Sequence, residues 1–336
     1  MRVYFIRACP ASYKDPTTMK RITLLSASIL LALPLCACDN DANPKASVTS
    51  WEVPEAFRVA RSDSQGQIET LEYVTSDYAE GTDKKQTKAL HVYVPYGYDE
   101  NQRYDILYLL HGTDKQSVDH ISTWFHAIGI KNILDNLIYY QQIRPLLVVT
   151  PTFYSYGLYG DDDASNIKEM TPVKRLSSAN FPDELRYDII PTVEEHYSTY
   201  ATSLDESGFQ ASREHRAMAG LSNGARITLN GGIIKNFDYF ASFGVYSSSV
   251  DAATILQALD QPKFASLPLK GFFNASGIYD FAYNAQKKMY DALLQDERFN
   301  SRNSRYFKVN FGYHSARSWR VGLYDSLPYF FAEGQQ

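Results

Sequence analysis

The pattern of apolar and polar positions changes character along this chain. Gln67 to Val74 and Ala89 to Val94 are rich in strand formers, and the turn-like Glu80-Gly81-Thr82-Asp83 between them predicts an antiparallel hairpin. After Val94 the pattern shifts to short unbroken apolar runs. Ile106 to Leu110 and Leu146 to Val149 read as strands buried on both faces, with a helical stretch from Trp124 to Tyr139 between them. Arg216 to Ala219, Tyr239 to Phe243, Leu269 to Asn274 and Tyr306 to Asn310 continue the series of strands, and helical segments at Pro182 to Tyr197, Ala225 to Lys235 and Tyr283 to Gln295 fill the gaps. Strand alternating with helix predicts an α/β fold, a mostly parallel doubly wound sheet preceded by the antiparallel hairpin. In such a sheet, functional residues gather just past the carboxyl ends of the strands.

The N-terminal pattern is different. Met19-Lys20-Arg21 precedes an apolar run from Ile22 to Leu35, then Leu35-Cys36-Ala37-Cys38 before Asp39. A charged start followed by an apolar run too short for a stable membrane span predicts a secretory leader over residues 19–38. The tetrapeptide resembles a bacterial lipobox, which implies Cys38 as a lipidated first residue of the mature chain and an exported, membrane-anchored protein at a periplasmic or cell-surface face. Ordinary cleavage near Ala37 without a lipid shares the same layout. Cys9, Cys36 and Cys38 are the chain's three cysteines, so nothing beyond the leader can form a disulfide. Residues 1–18 read as an upstream extension from a misplaced start, Asp39 to Ser50 as a polar flexible linker, and 51–336 as the folded domain.

Composition narrows the field. At 336 residues and 44% hydrophobic, the chain can bury one sizeable core. A net charge of -5, with Lys and Arg spread along the sequence, lacks the basic footprint of a nucleic-acid binder. No fixed-period repeat points to a solenoid or propeller.

Candidate chemistry begins at Gly220-Leu221-Ser222-Asn223-Gly224, which follows a predicted strand and opens a predicted helix. This G-x-S-x-G pattern is a nucleophile elbow: a sharp turn that projects the Ser222 hydroxyl, with glycines where strand and helix backbones must approach. A serine hydroxyl needs an imidazole to accept its proton, and in such folds that histidine comes later in the chain. His91, His111, His120, His126, His196 and His215 all precede Ser222, so His314 is the one candidate. The carboxylate that orients it should lie between the two, past a strand end. Asp280 fits, with a helix-capping role for the segment near Tyr283 as the alternative; Asp251, Asp260, Asp291 and Asp296 read as caps, loops or solvated helix faces. The developing oxyanion would be met by the Asn223 amide and by the amide of Thr113 in Leu110-His111-Gly112-Thr113-Asp114, with His111 bracing that loop.

Several segments together resemble the D-type putative-esterase family of feruloyl and acetyl-xylan esterases, the carbohydrate esterase family 1 type. They are Val92-Tyr93-Val94-Pro95-Tyr96-Gly97-Tyr98, Tyr108-Leu109-Leu110-His111-Gly112, Pro145-Leu146-Leu147-Val148-Val149-Thr150-Pro151, and His215-Arg216-Ala217-Met218-Ala219-Gly220 leading into the elbow. The resemblance implies an α/β-hydrolase fold and a serine esterase. It places the nucleophile at Ser222, the base at His314, the acid at Asp280 and the oxyanion amides at Thr113 and Asn223. Relatives often carry glycine after the His-Gly pair and methionine after the serine, where this chain has Thr113, Asp114 and Asn223. No cofactor or metal is expected, and Asp161-Asp162-Asp163 reads as a solvated loop. The aromatic cluster Phe153, Tyr154, Tyr156 and Tyr159 offers faces for a sugar or phenolic ring, with Tyr154 and Tyr156 as substrate-binding candidates, and half-buried packing as the alternative. The expected substrate is an ester of plant cell-wall polysaccharide, feruloyl or acetyl groups on xylan. An acyltransferase of the same fold, and a non-catalytic polysaccharide-binding surface lipoprotein, are the competing readings.

Overall fold

The computed structural model describes residues 44–78, 82–113, 120–154 and 180–332. Eight strands form one sheet: β1 (Gln67–Asp77), β2 (Thr82–Val94), β3 (Asp105–Leu110), β4 (Leu146–Thr150), β5 (Arg216–Leu221), β6 (Ser242–Tyr246), β7 (Gly271–Gly277) and β8 (Ser304–Val309). Their order is β1-β2-β4-β3-β5-β6-β7-β8. β1 and β2 form the expected antiparallel hairpin and β2 also runs antiparallel to β4, while every pairing from β4 to β8 is parallel. This is the doubly wound architecture with an antiparallel start.

The central strands β3 to β7 are buried along their whole length. Their side chains alternate between two cores, as a two-residue repeat dictates. Ile106, Tyr108 and Leu110 of β3 join one core with Val149, Met218 and Phe243, and Leu107 and Leu109 join the other with Val148, Ala219 and Phe273. Helices cover both faces, so a continuous apolar strand has no wet side, which is why these runs lack polar alternation.

Several elements depart from the sequence reading. The expected helix over Trp124 to Tyr139 is interrupted: a π-turn spans Thr123–Ala127, Gly129 takes φ +73, and the α-helix covers only Lys131–Tyr139. The strand expected at Tyr239 begins instead at Ser242. Tyr239 sits in a turn, its amide bonded to the Asn236 carbonyl (2.9 Å) and its own carbonyl taken by the buried Arg216 guanidinium (2.7 Å). The helix after the elbow is α over Asn223–Ile227 and π over Thr228–Lys235. A long C-terminal helix, Ala316–Phe330, was not expected. Residues 46–50, read as part of a flexible linker, are bonded to the domain. Gln142 Oε1 accepts from the Ala46 amide (2.8 Å), Asp325 Oδ1 from the Thr49 amide (2.8 Å), and the Ser50 carbonyl from the Asn310 amide (2.6 Å). The leader, Cys38, Tyr156, Tyr159, Asp114 and Asp161 to Asp163 lie outside the described residues.

Candidate active site

Ser222 follows β5 directly and starts the next helix. Its backbone is at φ 53, ψ -117, a region that costs a non-glycine residue about 1–3 kcal/mol and persists only where the surroundings enforce it. Two contacts do so here. The Ser222 amide donates to the Tyr246 carbonyl at the end of β6 (2.8 Å). On the other side, Gly224 packs its Cα against the His111 and Leu110 carbonyls, where a Cβ would collide with the His111 oxygen. Only glycine allows the helix to start this close to the loop after β3.

The turn aims the hydroxyl at an imidazole supplied from the loop after β8. His314 Nε2 lies 2.9 Å from Ser222 Oγ, and His314 Nδ1 lies 3.0 and 3.1 Å from the two Asp280 carboxylate oxygens. With Asp280 ionised, Nδ1 carries the proton and donates, which leaves Nε2 as the acceptor facing the serine. Asp280 sits in the tight turn after β7, buried to 5% exposure. Burial pushes its pKa up, but hydrogen bonds from His314, the Ser247 hydroxyl and the Ala282 amide outweigh that and hold the carboxyl below its ordinary value. The Ala282 amide bond (2.9 Å) closes the tight turn at Asp280 and is not a helix cap: the helix Tyr283–Leu293 has Ala282 at its N-cap and no side-chain capping bond, so the capping alternative is not the role the structure gives Asp280. The four other aspartates weighed for this role sit apart from His314: Asp251 caps the helix Ala252–Leu259, while Asp260, Asp291 and Asp296 pair with Arg298, Lys287 and Arg298.

Three supporting residues carried no sequence signal. Ser247, just after β6 and at φ 63, receives the Trp319 indole N–H on its Oγ (2.9 Å), and its hydroxyl lies near enough to Asp280 to help lower the carboxyl's pKa. Trp319, on the helix Ala316–Phe330, stands edge-on to the His314 ring with centroids 5.0 Å apart. Phe281 covers the imidazole from outside, with centroids 4.3 Å apart and planes tilted by 30°. The imidazole is thus held at Nδ1 and against two rings, so a rotation that broke the serine contact would also break packing.

Leu110, His111 and Gly112 approach the serine from β3, and a Cβ built on Gly112 would sit 3.3 Å from Ser222 Cβ. Thr113 follows at an exposed position, and Asn223 opens the helix, its side-chain oxygen accepting from Arg226 (2.9 and 3.2 Å). His111 braces the loop as expected: Nδ1 donates to the Gly112 carbonyl (2.7 Å), Nε2 meets Thr152 Oγ1 (3.0 Å), and the ring stacks on Phe153 at 4.1 Å. Thr152 in turn gives its carbonyl to the buried Lys88 ammonium (2.9 Å), which pairs with Glu184 at 2.6 Å. Tyr154, expected at the substrate, is instead buried, its ring 5.4 Å from His111 and 4.7 Å from Phe153. It packs under the loop, the alternative that composition left open.

An open cleft of about 370 Å³ lies over the serine and histidine, lined further by Arg226, Ser248, Ser249, Phe281 and Ala285. A larger cavity of about 560 Å³ lies by Asp105 and Leu146, where β3 and β4 begin, and contains none of these groups. The smaller cleft is the candidate active site, because the serine hydroxyl and the imidazole line it and the Asp280 carboxylate stands behind the imidazole. Such an arrangement can remove a proton from the hydroxyl as it attacks an electrophile and return that proton to a leaving group.

A parallel sheet entered through an antiparallel hairpin, with serine, acid and histidine in that chain order beyond the ends of β5, β7 and β8, is the α/β-hydrolase class. Residues 83–305 match the family described as Putative esterase, and the chain belongs to that family. It is 34% identical over 266 residues to Endo-1,4-beta-xylanase Y of Acetivibrio thermocellus, a match covering 74% of this chain but 22% of that much longer protein. Among solved structures it resembles a serine-to-alanine mutant of the feruloyl esterase module of Clostridium thermocellum complexed with sinapinate, with a TM-score of 0.71, 29% identity, and coverage of 87% of this chain and 97% of that one. It also shares its fold with a CE1 ferulic acid esterase from Anaeromyces mucronatus, with a TM-score of 0.64, 21% identity, and coverage of 85% and 99%. The chain is therefore a member of the Putative esterase family, and its structural neighbours include feruloyl esterases.

Proposed function

We propose that this chain is a serine carboxylic-ester hydrolase that removes hydroxycinnamoyl groups, of which feruloyl is the type, from xylan-like cell-wall polysaccharide. The observation that carries the proposal is the alignment of Ser222 Oγ, His314 Nε2 at 2.9 Å and the Asp280 carboxylate behind Nδ1 at 3.0 Å. Ser222 Oγ attacks the ester carbonyl carbon as its proton passes to His314 Nε2, and Asp280 stabilises the imidazolium. The oxyanion is met by the Asn223 amide at the helix start and by the Thr113 amide. Collapse breaks the ester C–O bond, and the leaving alkoxide takes the proton from Nε2. Water, deprotonated by the same histidine, then attacks the acyl-enzyme and releases the acid.

The hydroxycinnamoyl choice rests on likeness to a feruloyl esterase module bound to sinapinate, and the polysaccharide on likeness to a xylanase. Export and attachment through Cys38 belong to the same reading, since an anchored esterase at a cell surface would meet polymeric substrate. Comparing kcat/KM on methyl ferulate, acetylated xylan and a short-chain aryl acetate tests the acyl specificity. Preference for methyl ferulate is expected, whereas turnover of acetylated xylan alone would overturn the assignment. Free acid as the sole acyl product, with acceptor sugar present, distinguishes hydrolysis from transfer.

A further inference from the structure

The rim of the cleft on the histidine side carries an exposed run of aromatic rings, of which only Phe281 touches the proton relay. Trp51, Tyr279, Phe281, Phe311 and Tyr313 are 54%, 53%, 81%, 57% and 62% exposed. The rings are neighbours, with Trp51 to Phe311 at 5.5 Å, Phe311 to Tyr279 at 6.3 Å and Tyr279 to Tyr313 at 5.4 Å between centroids. Tyr313 directly precedes His314 in the chain, and Phe281 lies against the His314 imidazole. The run therefore starts at the base and leads away from the serine. A contiguous exposed patch of this kind marks a binding surface rather than chance, because scattered single rings are what an ordinary surface shows.

The backbone beneath is fixed. The Tyr279 amide donates to the Gly312 carbonyl (2.8 Å), and the Asn310 amide donates to the Ser50 carbonyl (2.6 Å). The Arg317 guanidinium ties the two outer rings together, donating to the Trp51 carbonyl (2.8 Å) and the Phe311 carbonyl (2.6 Å) and lying 4.5 Å from the indole centroid. Little freedom remains to be lost when a ligand settles on these rings.

The reaction geometry says which part of the ester lies here. The proton given to the leaving alcohol comes from His314 Nε2, so the alcohol half of the ester must lie on the His314 side of Ser222, with the carbonyl oxygen turned toward the Asn223 amide. Resting on the esterase reading above, we propose that Trp51, Tyr279, Phe311 and Tyr313 form a platform for the pyranose rings of the polysaccharide that bears the ester. Sugar C–H faces suit aromatic rings, and the tyrosine hydroxyls can reach ring oxygens and hydroxyls. The rings are successive and open to solvent, which fits a chain rather than a monosaccharide.

The test compares a feruloylated arabinoxylan with methyl ferulate, using the wild type and the separate variants Trp51→Ala and Tyr279→Ala. The ratio of kcat/KM on polymer to kcat/KM on methyl ester should fall at least about tenfold in each variant, the loss of roughly one ring's contact. Affinity electrophoresis in soluble arabinoxylan reads the same surface without turnover, and the wild type should be retarded more than either variant. An unmoved ratio, including a proportional fall on both substrates, or equal migration of wild type and variants, overturns the platform. The esterase reading fails separately, through Ser222→Ala retaining activity on methyl ferulate.

Discussion

Asp325 offers a measurable pH dependence that does not involve the cleft. It lies on the C-terminal helix at 3% exposure, where its Oδ1 accepts the Thr49 amide and its Oδ2 has no partner among the described residues. Burial pushes its pKa up to about 7 against the Thr49 hydrogen bond, which lowers it. An aspartate raised in the folded state binds a proton there that the unfolded chain has already lost, so stability falls as pH rises from about 4 to about 7 and is level above that. The rise from 3.8 to about 7 corresponds to about 4 kcal/mol, of which about 2.5 kcal/mol falls between pH 5 and pH 8. Asp325→Asn keeps the acceptor for Thr49 and cannot ionise. Its new N–H group faces the unpartnered side, at a cost of about 1–3 kcal/mol at every pH. Urea unfolding of both proteins at pH 5, 6, 7 and 8 should therefore show the variant gaining about 2.5 kcal/mol on the wild type across the series, whatever the offset at pH 5. Parallel pH profiles would show that Asp325 is not neutral in the fold and would refute the reasoning.

Three further outcomes follow from particular contacts. Ser247→Ala removes a hydroxyl from the Asp280 carboxylate, and should lower kcat on a small aryl ester about tenfold with KM changed less than about twofold, since a hydrogen bond to a charged group contributes about 1.5–3 kcal/mol; unchanged kcat would contradict a positioning role. Gly224→Ala drives a methyl group into the His111 carbonyl and should reduce kcat about a hundredfold by displacing the elbow from the oxyanion loop, measured against retained circular dichroism. Lys88→Met leaves the buried Glu184 carboxylate with the Tyr73 hydroxyl but no counter-charge and should cost about 3–5 kcal/mol in urea unfolding, most of it recovered in Lys88→Met with Glu184→Gln; equal losses in single and double variants would deny the pair this role.

The legible part of the site was what chemistry restricts to few positions. A glycine-flanked serine set directly between strand and helix suits little besides a nucleophile, and His314 is the one histidine after it. Asp280 was harder because an acid that orients a histidine and one that caps a helix leave the same trace in a sequence; in the structure it bonds His314 Nδ1, and the helix Tyr283–Leu293 has no side-chain cap. Ser247, Phe281 and Trp319 were not legible: no spacing links them to His314, and Phe281 and Trp319 meet it, with Ser247 bonded to Trp319, only because the ends of β6 and β7 and the start of the helix after β8 come together. For Tyr154, composition says that a ring is present and not which way it faces, and the structure places it in a buried position. The strand start at Ser242 was hidden for a related reason, since the apolar Tyr239 and Phe240 continue the run while Arg216, far upstream, claims the Tyr239 carbonyl. The helix Ala316–Phe330 contains Gly322 and Pro328, which read as breaks when only neighbours along the chain are considered.

The most direct test of the relay is labelling by a serine-directed fluorophosphonate followed by peptide mass spectrometry. The account predicts one phosphonyl adduct, on the peptide containing Ser222, absent in Ser222→Ala and formed much more slowly in His314→Ala although both variants fold. An adduct on another serine, or equal labelling of Ser222→Ala and the wild type, would contradict it.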